Sequence, residues 1–265
     1  MTAAIFAFSL IVSGDLTMPA RADIIQLFAA GSLKAALTDV ANAYETNSGN
    51  KVEAKYGPSG LLKDEIANGG KAAVFASANM EHPQALHDGG KSGPVALFAR
   101  NKLCALVRPG LVVTSTTLLE RMLGVDVKLG TSTPKADPSG DYTFEVFKKA
   151  EAMKPGAQAA LEKKALQLTG AKDSAAPPAG RIVYGWHVAE RRADVFLTYC
   201  TNALAARKQS SGQQIVALPD ALSVGADYGL TIVNDAPPAA QEFVDYILSA
   251  DGQKILTGHG FTAEK

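Results

Sequence analysis

The stretch LFAAGSLKAAL, Leu27 to Leu37, decides the fold. An apolar run that starts at Ile24 ends at Ala30, and Gly31 breaks it. Beyond the break, Leu33, Ala36, Leu37, Val40 and Tyr44 recur at helical spacing. The first pattern is that of a buried strand and the second that of an amphipathic helix. A strand that turns into a helix across Gly-Ser aims a hydroxyl and free backbone N–H groups at one point, with no side-chain charge to fill it. A small anion suits such a corner.

Outward from this corner the elements alternate. "KVEAKYG" (51–57) reads as a half-buried strand, "SGLLKDEIANGG" (59–70) as a short helix stopped by Gly69-Gly70, and "AAVFASA" (72–78) as another strand. A βαβαβ run of this kind predicts a mainly parallel sheet with helices on its faces. "VALFARNKLCALVRPG" (95–110) is too long for one compact sheet and predicts a strand that passes between lobes. After it come a helix in "STTLLERML", a strand in "VKLGTS", helices in "DYTFEVFKKAEAM" and "AQAALEKKALQL", and a loop in "AKDSAAPPAG". "RIVYGWHVAERR" reads as a helix, "DVFLTYC" as a strand, "TNALAARK" as a helix, "QIVALP" as a strand and "YGLTIV" as a second crossing strand. The closing segment 237–261 shows amphipathic spacing through Phe243, Ile247 and Leu248. The predicted fold is therefore α/β with two lobes. Residues 23–100 plus 229–265 form the first, 101–228 the second, and a ligand cleft lies between them where strands end and helices begin.

The bulk numbers narrow the function. The 265 residues carry 26 basic and 26 acidic side chains, a formal net charge of zero. A nucleic-acid partner would need a basic footprint, so none is expected. "AAIFAFSLIVSG" (3–14) is too short to span a bilayer, and Ala20-Arg21-Ala22 fits a cleavage site. Residues 1–22 are thus expected to be an export signal, although no Lys or Arg precedes the apolar stretch; a buried N-terminal helix is the alternative. Cys104 and Cys200 lie in strand-like runs and form either one disulfide, as suits an exported protein, or two separate buried thiols.

Three corners share one chemistry: "AAGSL" with Ser32, "GPSGLL" with Ser59 and "DPSGDY" with Ser139. Any one of them alone is an ordinary N-cap. Three together, each with Gly beside Ser so that backbone can approach a ligand closely, point to an anion site. Ser59 lacks the second Gly of a nucleophile elbow. His82, His87, His187 and His259 show no motif that links one to a serine, and they read as surface or structural residues.

In these segments the chain resembles the periplasmic molybdate-binding proteins of ABC importers, the ModA type. The resemblance covers nearly the whole mature chain. It is carried by "FAAGSLKAAL", "PSGLLKDEI", "AAVFASAN", "LFARNKL", "DPSGDYTFEVF", "LTYCTNA" and "FVDYILSADGQKILTGHGF", in that order. It implies a two-lobe periplasmic binding fold, no cofactor, no catalysis, and molybdate or tungstate as cargo for a membrane permease, the protein acting as a monomer. It also implies that Ser32, Ser59 and the Tyr199 phenol donate to the oxygens of the anion rather than ligate a metal. The Ser139 backbone N–H and a backbone N–H near Arg181 would complete the ring. The chain departs from the family at Ala73 and Asn79, where acidic residues are usual, at Arg181, and in "TYCTNA", as a divergent branch would. The Arg181 side chain either enters the pocket or faces solvent.

A ring of neutral donors suffices for a dianion, since each hydrogen bond to a charged group contributes about 1.5–3 kcal/mol and a micromolar complex needs about 8 kcal/mol. An all-donor pocket also rejects hydrogen phosphate, whose proton finds no acceptor. Sulfate, phosphate and a small organic acid remain alternative ligands. An inward Arg181 or Lys34 would favour a phosphate or carboxylate, and a buried acceptor would favour a protonated ligand. Asp137 and Asp141 flank the third corner, where they cap or orient it or, on a lesser reading, bind a metal. A cleft hydrolase is the remaining alternative.

Overall fold

The structure, a computed structural model, describes residues 22–262. The apolar stretch expected to direct export lies outside those residues.

The first half of the chain builds β1 (Ile24–Ala30), α1 (Lys34–Ser48), β2 (Lys51–Gly57), α2 (Ser59–Ala67), β3 (Val74–Ala76), α3 (Glu81–Asp88) and the long β4 (Ala96–Val107). It continues through α4 (Leu118–Leu123), β5 (Leu129–Ser132), α5 (Pro138–Met153), α6 (Ala157–Lys164) and β6 (Leu166–Thr169). The remainder is α7 (Val183–Ala189), β7 (Val195–Tyr199), α8 (Cys200–Gln209), β8 (Gln214–Ala217), β9 (Gly225–Ile232), α9 (Ala239–Leu248) and α10 (Ala250–Gly258). No helix among the described residues is long and apolar enough to cross a membrane.

The strands run in the order β2-β1-β3-β9-β4-β7-β5-β6, with β8 also paired to β4. Pairings made by β1 and by β5 are parallel, and those made by β4 and β9 are antiparallel. This is the mixed α/β class expected, with the antiparallel pairs where the chain crosses over and returns. Along β4 the partner changes: Ala96 to Lys102 pair with β9, and Leu103 to Val107 pair with β7. One strand thus joins two half-sheets.

Burial follows from this order. β1 lies between two parallel neighbours, and Leu27, Ala29 and Ala30 are buried, as a strand covered on both faces requires. β2 is an edge, and its Lys51, Glu53 and Lys55 stay exposed, which blunts pairing with other chains. On α1, Ala36, Leu37, Val40 and Tyr44 pack into the main core together with Phe243 and Ile247 of α9. Two expectations need correction. Leu248 is 40% exposed, because the inner face of α9 runs through Ala240, Phe243, Val244 and Ile247. The segment from Leu166 to Thr169 is the strand β6 rather than the end of a helix, because α6 stops at Lys164 and the chain then pairs with β5.

Cys104 and Cys200 form a disulfide, with Cα atoms 4.9 Å apart. In the β4–β7 ladder Leu103 faces Tyr199 and Cys104 faces Thr198, which brings Cys200 at the start of α8 beside β4. The bridge fixes the backbone immediately after Tyr199.

Candidate functional site

The last pair in the β1–β2 ladder is Ala30 with Gly57. Both strands end there, so the Ser32 and Ser59 corners stand side by side. β3 ends next to β1, and the chain beyond it brings Ala78 to the same place. These corners form one wall of a cavity of about 130 Å³. The opposite wall is Asp137 before α5, Thr169 at the end of β6, Val183 and Tyr184 at the start of α7, and Tyr199 at the end of β7. Every strand that contributes does so at its carboxyl end, the usual location for ligands of open α/β sheets. Pockets for drug-sized molecules run to roughly 300–1,000 Å³, so this one suits a small ion.

Hydrogen bonds orient the hydroxyls. The Ala78 N–H donates to Ser59 Oγ at 3.1 Å, which leaves the Ser59 proton free to donate into the cavity. Ser32 Oγ lies 3.0 Å from the Tyr228 hydroxyl, which accepts from Asn101 Nδ2 at 3.3 Å. The Ser32 and Tyr228 hydroxyls share one hydrogen bond in which either can donate. Tyr199 and Tyr228 are fully buried, and burial, the first cause, holds both phenols well above their ordinary pKa. They stay protonated in physiological buffers.

Two contacts tie the walls together. The Tyr199 hydroxyl donates to the Ala78 carbonyl at 3.1 Å, and the Gly60 N–H donates to the Ala136 carbonyl at 2.9 Å. Glycine is required at position 60, because a Cβ there would lie 2.3 Å from the Lys135 carbonyl oxygen. The structure is therefore that of a closed cleft.

The sequence-predicted site residues fall into three groups. Ser32, Ser59 and Tyr199 line the cavity together, although the Tyr199 proton is directed to Ala78 in this conformation. Ser139 is fully buried and lies behind the cavity wall; its N–H donates to Asp137 Oδ1 at 3.0 Å. The physical reason is that Asp137 caps α5 and its carboxylate satisfies the N–H expected to meet the anion. Arg181 is exposed and outside the cavity lining, as is Lys34. The helix that begins near Arg181 starts two residues later, so Val183 and Tyr184 hold the position assigned to it.

Asp137 does more than the cap role that the sequence assigns to it. As an acid beside an anion corner it reads as a cap, which it is, and the residue also lines the cavity. Desolvation by burial raises its pKa from 3.8 to about 6, with the Ser139 N–H pulling the other way. The pocket is therefore not made of donors alone. Among its lining residues there is no Lys or Arg and one carboxyl. With an acidic residue in the lining, rejection of hydrogen phosphate by an all-donor ring no longer follows.

Asp141 accepts the Lys135 N–H at 2.8 Å and lies outside the lining. None of the four histidines lines the cavity. Among the described residues no group of three His, Cys, Asp or Glu is placed to hold a metal ion.

Comparison with known proteins gives a consistent picture. The family described as bacterial extracellular solute-binding protein matches residues 25–262. An uncharacterised protein of Pasteurella multocida is 34% identical over 239 residues, which is 89% of this chain and 98% of that one. The molybdate-binding protein ModA of Azotobacter vinelandii is 25% identical over 260 residues, 94% of each chain. The solved periplasmic molybdate-binding protein of Azotobacter vinelandii superposes with a TM-score of 0.71 at 19% identity, covering 91% of this chain and 100% of its own. At that identity the superposition shows a common fold alone.

Proposed function

We propose that this chain, which belongs to the bacterial extracellular solute-binding proteins, captures a small tetrahedral oxyanion in the Ser32–Ser59 cavity. It is an extracytoplasmic binding protein by family. In the proposal it works as a monomer, requires no cofactor and hands its cargo to a membrane permease of the ABC importer type. Molybdate is the first candidate and tungstate the second. The order of motifs along the chain and the resemblance to a molybdate-binding relative support that choice.

The observation that carries the reading is convergence. Two serine corners from one half-sheet face Val183, Tyr184 and Tyr199 from the other across a cavity of about 130 Å³ that no basic side chain enters. Affinity then comes from oriented neutral donors. Three or four hydrogen bonds to a charged ligand, at about 1.5–3 kcal/mol each, reach the ~8 kcal/mol of a micromolar complex before ordering costs. Because each half-sheet supplies part of the lining, release requires the halves to part, with β4 and β9 as the hinge strands.

Titration calorimetry tests the proposal. Molybdate is expected to bind at one site per chain. Ser59→Ala removes one hydroxyl donor and is expected to weaken binding by about tenfold to a hundredfold. Unchanged molybdate affinity in that variant would remove the cavity from the account.

A further inference from the structure

We propose that Asn101 is a positioning residue for the anion: it couples the hinge between the two half-sheets to the Ser32 hydroxyl. The inference rests on the oxyanion reading of the cavity and goes further by naming what sets one of its donors.

Asn101 stands where the half-sheets meet. It pairs with Ala226 of β9, and two residues later Leu103 pairs with Tyr199 of β7, so the partner of β4 changes beside it. Asn101 Oδ1 accepts the Lys102 N–H at 2.9 Å, which fixes the other end of the amide as the donor. Nδ2 then donates to Thr201 Oγ1 at 2.8 Å and to the Tyr228 hydroxyl at 3.3 Å. The Tyr228 hydroxyl shares a hydrogen bond of 3.0 Å with Ser32 Oγ. A continuous relay thus runs from Thr201 on α8 through Asn101 on β4 and Tyr228 on β9 to Ser32, just beyond β1. Of these residues, Ser32 alone lines the cavity.

The relay spans the hinge. Thr201 lies on α8, which the disulfide from Cys200 anchors to Cys104, on the β7 side of the partner change. Asn101 lies on the β9 side. Turning one half-sheet against the other at residues 102–103 therefore moves Thr201 relative to Asn101. Asn101, Thr201 and Tyr228 are all buried, so water does not replace a lost partner, and a broken bond leaves a buried donor unpaired. Closure restores that bond, holds Tyr228 in place and presents Ser32 already ordered. A donor ordered before the anion arrives costs less on binding.

The test is titration calorimetry with molybdate on the wild type, Thr201→Val, Thr201→Ser, Tyr228→Phe and the double variant of Thr201→Val with Tyr228→Phe. None of the substituted residues lines the cavity, and Asn101 keeps its bond to the Lys102 N–H. Valine holds the shape of threonine without the acceptor, and serine keeps the acceptor. Thr201→Val is expected to weaken molybdate binding by about threefold to tenfold, and Thr201→Ser to stay within about twofold of the wild type. Because Thr201 acts through Tyr228, the double variant is expected to bind within about twofold of Tyr228→Phe alone. A route through Tyr199, two residues before Thr201, bypasses the Tyr228 hydroxyl and would make the two losses multiply. Multiplying losses, or wild-type affinity in Thr201→Val, would overturn the inference and leave the oxyanion reading standing. Absence of molybdate binding by the wild type would overturn both. Thr201→Ala, which also lacks the hydroxyl, carries the test if Thr201→Val does not fold.

Discussion

Gly60→Ala separates closure of the cleft from stability of the fold. Gly60 is the second residue of α2, and its N–H donates to the Ala136 carbonyl across the cleft at 2.9 Å. A Cβ would meet the Lys135 carbonyl oxygen at 2.3 Å and that of Ala136 at 2.9 Å. Both obstacles are backbone, so the walls must part by roughly 1 Å to restore an ordinary van der Waals distance. Parting them weakens the Gly60–Ala136 bond and the Tyr199–Ala78 bond, at about 1 kcal/mol each. The closed form is then disfavoured by about 2 kcal/mol, and apparent affinity falls roughly thirtyfold, because only the closed form offers the full set of contacts. The helix itself gains, since alanine is better than glycine in a helix by about 0.5–1 kcal/mol. The expected signature is oxyanion binding weakened about thirtyfold with an unliganded stability lowered by no more than about 1–1.5 kcal/mol, the two lost bonds less the helix gain. Differential scanning calorimetry without ligand and titration calorimetry with it read the two quantities separately. Wild-type affinity in Gly60→Ala would refute the closure argument.

Other consequences follow from the same geometry. Cys104→Ser with Cys200→Ser opens a bridge between residues 96 positions apart and is expected to cost about 2–5 kcal/mol in a urea melt. It is also expected to loosen oxyanion binding through Tyr199. Asp137 has a pKa of about 6 when folded against 3.8 ordinarily, so its ionised form opposes folding by up to about 3 kcal/mol above pH 6, a cost that vanishes as pH falls through the window from 6 to about 4. Unliganded Asp137→Asn is therefore expected to melt above the wild type at pH 8 and to lose that advantage by pH 4.5; an advantage independent of pH would contradict this. Tyr228→Phe removes the hydroxyl that lies 3.0 Å from Ser32 Oγ and is expected to weaken oxyanion binding about tenfold in calorimetry while burial of the ring is kept.

The corners were legible in the sequence because their signal is local. Gly-Ser after an apolar run places Ser32 at the end of β1, and Pro-Ser-Gly places Ser59 at the start of α2. The resemblance brought Tyr199 to the same place. Its burial and its bond to Ala78 depend on contacts with residues 121 positions away in the chain. The helix start expected near Arg181 falls two residues later, at Val183, because "RIVYGW" carries no strong cap. The last residues of "AQAALEKKALQL" continue a helical composition, yet they pair with β5 as β6, and tertiary pairing overrides propensity there. Asp137 shows the deeper limit. Its role as a cap is local and readable, while its place in the cavity depends on β6, α7 and the opposite half-sheet arriving beside it. That arrival puts an acidic residue into the lining.

A thermal-shift panel of molybdate, tungstate, sulfate and phosphate on the purified protein at pH 6 tests the central claim most directly. A cavity that holds an oxyanion predicts a melting temperature that rises with anion concentration, by the equivalent of about 2.7 kcal/mol at a hundred times the dissociation constant, and a smaller rise in Ser59→Ala. A melting temperature that none of the four anions moves would contradict it.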